Sequence, residues 1–157
     1  MKRKLLTAIA VILMVSATAV EAKQDNQKPP RWMNERWSQG FRCEKIESHL
    51  HAIGLPVKAF SYLAWRESRC RVGVVGWNYH KGLSHRNCMT LRNQNYKNCF
   101  AVKSFDSGLL QINSTWVTVT STVCNSVWGD LTVLLDRKCN LRVAKHLFDN
   151  GGFDHWK

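Results

Sequence analysis

One acidic side chain stands where the sequence pattern asks for an apolar one. Between Val57 and Ser68 the apolar residues Phe60, Leu63 and Ala64 fall at helical positions 0, 3 and 4, and Glu67 falls at position 7 of the same stripe. A carboxyl group on the apolar face of a helix is costly unless it is paired, neutral or facing a cavity. A carboxyl kept neutral is what general-acid chemistry needs. Two quieter explanations stand beside that one: an ion pair with Arg66, Arg69 or Arg71, or a frayed helix end that turns the side chain to solvent. The cysteines are Cys43, Cys70, Cys88, Cys99, Cys124 and Cys139. No C-x-x-C pair occurs, and His49, His51, His80 and His85 show no accompanying ligand spacing, so no metal site is expected.

The cysteines read instead as disulfides, because the start of the chain reads as an export signal. Met1-Lys2-Arg3-Lys4 precedes a mostly apolar run over residues 5–20, and the composition turns polar at Glu21-Ala22-Lys23-Gln24. That layout predicts a signal peptide over residues 1–22, with cleavage after Ala22 or Ala19. The run of about 16 residues is short of the roughly 20 that span a bilayer as a stable helix. A secreted or periplasmic protein is expected, with no stable membrane insertion once the signal is removed. Six cysteines permit fifteen connectivities. Cys88 with Cys99 and Cys124 with Cys139 would close short loops and leave Cys43 with Cys70. Even a loop of about 15 residues can contribute on the order of 3 kcal/mol by restricting the unfolded chain.

The 157-residue chain carries a net charge of +12, and removal of residues 1–22 leaves 20 basic and 10 acidic residues, a net +10. Either a polyanionic partner is expected or the charge only aids solubility. Nucleic acid, anionic lipid and the anionic bacterial wall all qualify, since net charge steers association without identifying the target. Export and the lack of a recognisable nucleic-acid module count against nucleic acid. The remaining 135 residues suit one compact domain, expected to be a monomer. Residues 23–40, with Pro29-Pro30 and several Gln and Asn, read as an extended leader. Residues 41–157 form the domain.

Several elements must position Glu67. Residues 41–53 read as a helix closed by Gly54, and a second helix runs from Pro56 to Ser68. Residues 71–104 are rich in Gly, Asn, Lys and His, with residues 72–79 as a candidate strand or hairpin and residues 88–99 as a stapled excursion. Leu109-Leu110-Gln111-Ile112-Asn113 is too short for its period to choose helix or strand. An apolar run begins at Asp130 or Leu131 and ends at Leu135. Asp136 or Asn140 can cap a last helix that places Leu141, Ala144 and Phe148 on one face and stops at Gly151-Gly152. The pattern is that of a mainly helical α+β domain with a small sheet or hairpin.

Two segments together resemble the lysozyme-like superfamily, which includes animal-type lysozymes and soluble lytic transglycosylase domains. Ala64-Trp65-Arg66-Glu67-Ser68-Arg69-Cys70 looks like the family's helix end, where the catalytic glutamate is commonly followed by Ser. Asp106-Ser107-Gly108-Leu109-Leu110-Gln111-Ile112-Asn113-Ser114-Thr115-Trp116 looks like its G-L-x-Q-I-N segment, which lines the sugar cleft. A third stretch, from Asn140-Leu141 through Ala144 to Gly151-Gly152-Phe153 and Trp156, is similar to the family's closing helix. The chain departs from animal-type lysozymes in a longer segment between Glu67 and Gly108 and in six cysteines instead of eight. It also lacks the A-Y-N-A-G motif of many lytic transglycosylases.

The resemblance implies a lysozyme-like fold with a substrate cleft and cleavage of peptidoglycan glycan strands between N-acetylmuramic acid and N-acetylglucosamine, without cofactor. Glu67 would be the general acid, and an apolar surround would favour its neutral form; that pattern in lysozyme is itself a worked case of the general rule. Asp106 would be the second carboxylate, as nucleophile or ion-pair stabiliser, or else an ordinary turn aspartate. Ser107, Gln111, Asn113 and Trp116 would bind substrate, Trp116 by stacking on a sugar ring or else packing in the core. Hydrolysis and lytic transglycosylation share the acid step and both remain open, as does a catalytically silent wall-binding protein of the same fold.

Overall fold

In the computed structural model the described residues are 27–86 and 101–157. The expected signal peptide and the Cys88 with Cys99 pair lie outside them. The helix that carries Glu67 forms where its periodicity places it, over Val57–Ser68. Ala59, Phe60, Leu63 and Ala64 along it are fully buried. Pro56 precedes its first turn, and Arg69 ends it in the left-handed conformation at φ 54°. Cys70 follows at φ 64°, a second non-glycine residue in that region. Such backbone costs on the order of 1 kcal/mol or more per residue. The disulfide from Cys70 to Cys43 holds the turn in place.

Two shorter helices pack against that one. We label Arg31–Ser38 α1, Glu44–Ala52 α2 and Val57–Ser68 α3. Helix α1 corrects the expectation of an extended leader. Its polar composition hides a narrow apolar stripe: Met33 is 1 % exposed, Trp32 meets Tyr62 of α3 edge-on at 5.5 Å, and the Trp37 indole donates to Glu47 at 2.8 Å. Pro30 sits immediately before the first turn, where a proline does no harm. Helix α2 starts at Glu44, three residues later than the apolar pattern suggests, because Cys43 is its N-cap and is drawn into the disulfide and a bond from its N–H to Ser61 Oγ.

Three antiparallel strands follow: β1 (Val75–Tyr79), β2 (Val102–Ser107) and β3 (Ile112–Asn113), in that order across the sheet. Gly76 pairs with Asp106, and Asp106 pairs with Asn113. Alternation therefore divides the sheet into a polar face of Gly76, Asn78, Ser104, Asp106 and Asn113 and an apolar face of Val75, Trp77, Phe105, Ser107 and Ile112. A helix, α4 (Val117–Cys124), was not legible, since its Val and Thr residues favour strands. It forms because Asn113 accepts the Thr115 N–H at the entry turn, Ser121 and Thr122 bond back to the Thr118 carbonyl, and Cys124 is bridged to Cys139.

The last helix, α5 (Arg137–Gly151), is capped by Asp136, whose carboxyl accepts the Cys139 N–H at 2.9 Å. Behind it a short turn, Gly152–Trp156, folds two aromatic rings, Phe153 and Trp156, onto the centre of the core beside Phe148 of α5. Phe60 lies 5.3 Å from Phe148, 5.5 Å from Phe153 and 5.1 Å from Trp156. Burying a side chain such as Phe60 stabilises by roughly 2–3 kcal/mol. The architecture is thus α+β and mainly helical, with one small antiparallel sheet. Two disulfides, Cys43 to Cys70 and Cys124 to Cys139, staple the described residues. No helix among them is long and apolar enough to cross a membrane.

Candidate active site

Glu67 lies at the end of the buried stripe of α3, its side chain 26 % exposed. One of the quieter explanations is present in the structure: Arg66 Nε donates to Glu67 Oε1 at 2.7 Å, and Nη2 lies 2.5 Å from the same oxygen. Only one carboxyl oxygen is engaged by the guanidinium. Arg66 is itself anchored, because its Nη2 also donates to the Trp156 carbonyl at 2.7 Å.

From that carbonyl a hydrogen-bonded chain leads to the sheet. The Trp156 indole donates to the Leu110 carbonyl at 3.2 Å, and the Leu110 N–H donates to Asn140 Oδ1 at 2.9 Å. Asn140 Nδ2 donates to the carbonyls of Ser107 at 2.9 Å and Leu134 at 3.0 Å. Asn140 is fully buried, and all three bonds are needed to offset burying its amide. Glu67 and the strand of Asp106 are thereby tied to one framework.

Asp106 is held on both sides. Asn78 Nδ2 donates to its Oδ2 at 2.7 Å, and Asn113 Nδ2 donates to its Oδ1 at 2.7 Å. Ser104 Oγ accepts from the same two amides at 3.2 and 3.3 Å. This is no loose turn aspartate: it sits mid-sheet with its rotamer locked by a polar ladder across three strands.

The other expected site residues divide. Asn113 stands beside Asp106 as its clamp. Ser107 is 2 % exposed, on the apolar face of the sheet, with its carbonyl engaged by Asn140. Gln111, at φ 47°, turns its amide inward to the carbonyls of Gly108 at 2.8 Å and Val74 at 3.2 Å, bracing the turn. Its Oε1 lies 2.9 Å from where a Cβ on Gly76 would sit, so that glycine makes room for it. Trp116 is half-buried and meets His155 edge-on at 5.2 Å. Sequence reasoning missed Asn78, Ser104 and the tie through Asn140. Period-2 alternation over residues 76–78 would have exposed Asn78; the tie has no local signal.

Grooves of about 710, 550 and 100 Å³ among the described residues are lined by side chains other than Glu67 and Asp106. No protein-family model, curated protein or solved structure matches the chain.

Proposed function

We propose that this protein is a lysozyme-like glycosidase that cuts peptidoglycan glycan strands outside the cytoplasm, with Glu67 as general acid and Asp106 as a fixed second carboxyl group. The observation that carries the reading is the shared framework of the two acids: one ends the helix α3, the other is clamped on the polar face of the sheet, and Arg66, Trp156, Leu110 and Asn140 connect them. Glycoside cleavage needs that division of labour. A proton must reach the leaving oxygen while positive charge grows on the sugar ring. Glu67, with one oxygen held by Arg66, presents the other. Asp106, with an amide on each oxygen, suits electrostatic stabilisation of the ring better than covalent attack, for attack would break one of its bonds. The sugar would lie between α3 and the polar face, where Asn78 and Ser104 offer amide and hydroxyl partners. Its chain-wide positive charge suits an anionic wall.

The test is digestion of purified peptidoglycan, read by mass spectrometry, with Glu67→Gln alongside. Reducing ends identify a hydrolase and 1,6-anhydro ends a lytic transglycosylase. Glu67→Gln is expected to lower the rate at least about 100-fold, as removal of a positioned acid does. No cleavage by the parent chain would leave a wall-binding protein, and a variant keeping more than about a tenth of the rate would remove Glu67 from the role.

A further inference from the structure

Away from Glu67 and Asp106, a groove of about 550 Å³ opens between the end of α2 and the first turns of α5, a volume in the range of ligand sites. Its floor is apolar: Ala52, Ile53 and the buried Leu141. Its rim carries His49, Arg137, Lys138 and Arg142, all exposed. The lone acid, Asp136, already has an oxygen taken by the helix cap. The ion pairs of the described residues fall elsewhere, at Arg31, Arg42, Arg66, Lys145 and Lys157. Arg137 and Lys138 moreover stand in the first turn of α5, where the helix dipole disfavours positive charge. Stability alone gives no reason to gather cations there.

We propose that this groove binds an acidic peptide with small apolar side chains. Its carboxylates meet Arg137, Lys138 and Arg142, and its methyl groups cover Ala52, Ile53 and Leu141. The source we assign rests on the wall-cleavage reading: the stem peptides of peptidoglycan combine carboxylates with alanine methyls. A bare polyanion would leave the apolar floor wet. A docked stem would hold the strand on one side of the molecule while the glycan is cut on another.

Titration calorimetry of the full chain with the synthetic pentapeptide N-acetyl-Ala-Glu-Lys-Ala-Ala, whose blocked amine leaves it net acidic, tests this. Binding is expected with a dissociation constant of about 1 mM or tighter, weakening as salt screens the rim. The double variant Arg137→Glu, Arg142→Glu and the floor-filling Ala52→Trp should each weaken it at least about tenfold. Arg137 and Arg142 stand on the rim and Ala52 in the floor, all three exposed, and melting curves report whether each variant folds. Cleavage of peptide-free glycan oligomers should be unchanged in both. Absence of pentapeptide binding at about 10 mM, or equal binding by a folded variant, overturns the proposal. So does binding to phosphatidylglycerol vesicles that the same variants abolish while the pentapeptide fails to compete. If the peptide binds but the chain cuts no glycan, the groove stands and the cleavage reading falls; the opposite pattern removes the groove alone.

Discussion

At the scale of single residues, the two carboxyl groups differ in how they are held. Glu67 has one arginine on one oxygen; Asp106 has an asparagine on each. Replacing Asn78 with Ala frees Asp106 Oδ2 without touching the core, as Asn78 is exposed. Cleavage is expected to fall about tenfold or more in kcat, with little change in thermal stability; positioning errors of this kind are costly to catalysis. Unchanged kcat in the Asn78→Ala protein, together with an active Asp106→Asn, would assign the chemistry to Glu67 alone. The position of Glu67 was legible because it interrupts an apolar period. Its partner Arg66 was one of three basic candidates, and nothing in local spacing singles it out: the choice is made by the Trp156 carbonyl, ninety residues away in the chain.

At the scale of elements, the turn between β2 and β3 leaves no room for a side chain at its glycine. Gly108 has φ 77°, and a Cβ there would lie 2.1 Å from the Leu134 carbonyl and 2.4 Å from Asn140 Nδ2. Gly108→Ala is therefore expected to destabilise by about 3 kcal/mol or more, measurable by urea denaturation. Asn140→Asp replaces the donor to two carbonyls with an acceptor and buries a charge beside them. A loss of about 3–5 kcal/mol follows, whereas a cost under about 1 kcal/mol would mean the tie is dispensable. The helices α2, α3 and α5 were legible from period and caps. Helix α1 and helix α4 were not, the first because polar residues outnumber its stripe, the second because disulfide and back-bonds override the strand preference of Val and Thr. The polar face of the sheet escaped notice because its three strands come from segments whose register no local pattern reveals.

At the scale of the whole molecule, stapling and connectivity set expectations for the chain as a unit. Six cysteines and two observed disulfides predict that the denatured, unreduced protein exposes no free thiol to Ellman's reagent; two free thiols per chain would break the pairing of Cys88 with Cys99. The order in which the molecule assembles is a further consequence. Contacts among α1, α2 and α3 join near neighbours, and the first disulfide spans 27 residues. The Trp156 indole reaches back 46 residues to Leu110, and the Arg66 bond that steadies Glu67 reaches across 90. Loop closure makes distant contacts the slow ones. After dilution from denaturant with disulfides intact, helical circular dichroism should return first and glycan cleavage last. Refolding protein then passes through a helical but inert interval, and Trp156→Phe, which removes the bond to the Leu110 carbonyl, should lengthen the lag between the two signals; an unchanged lag would mean that this long closure is not what the molecule waits for.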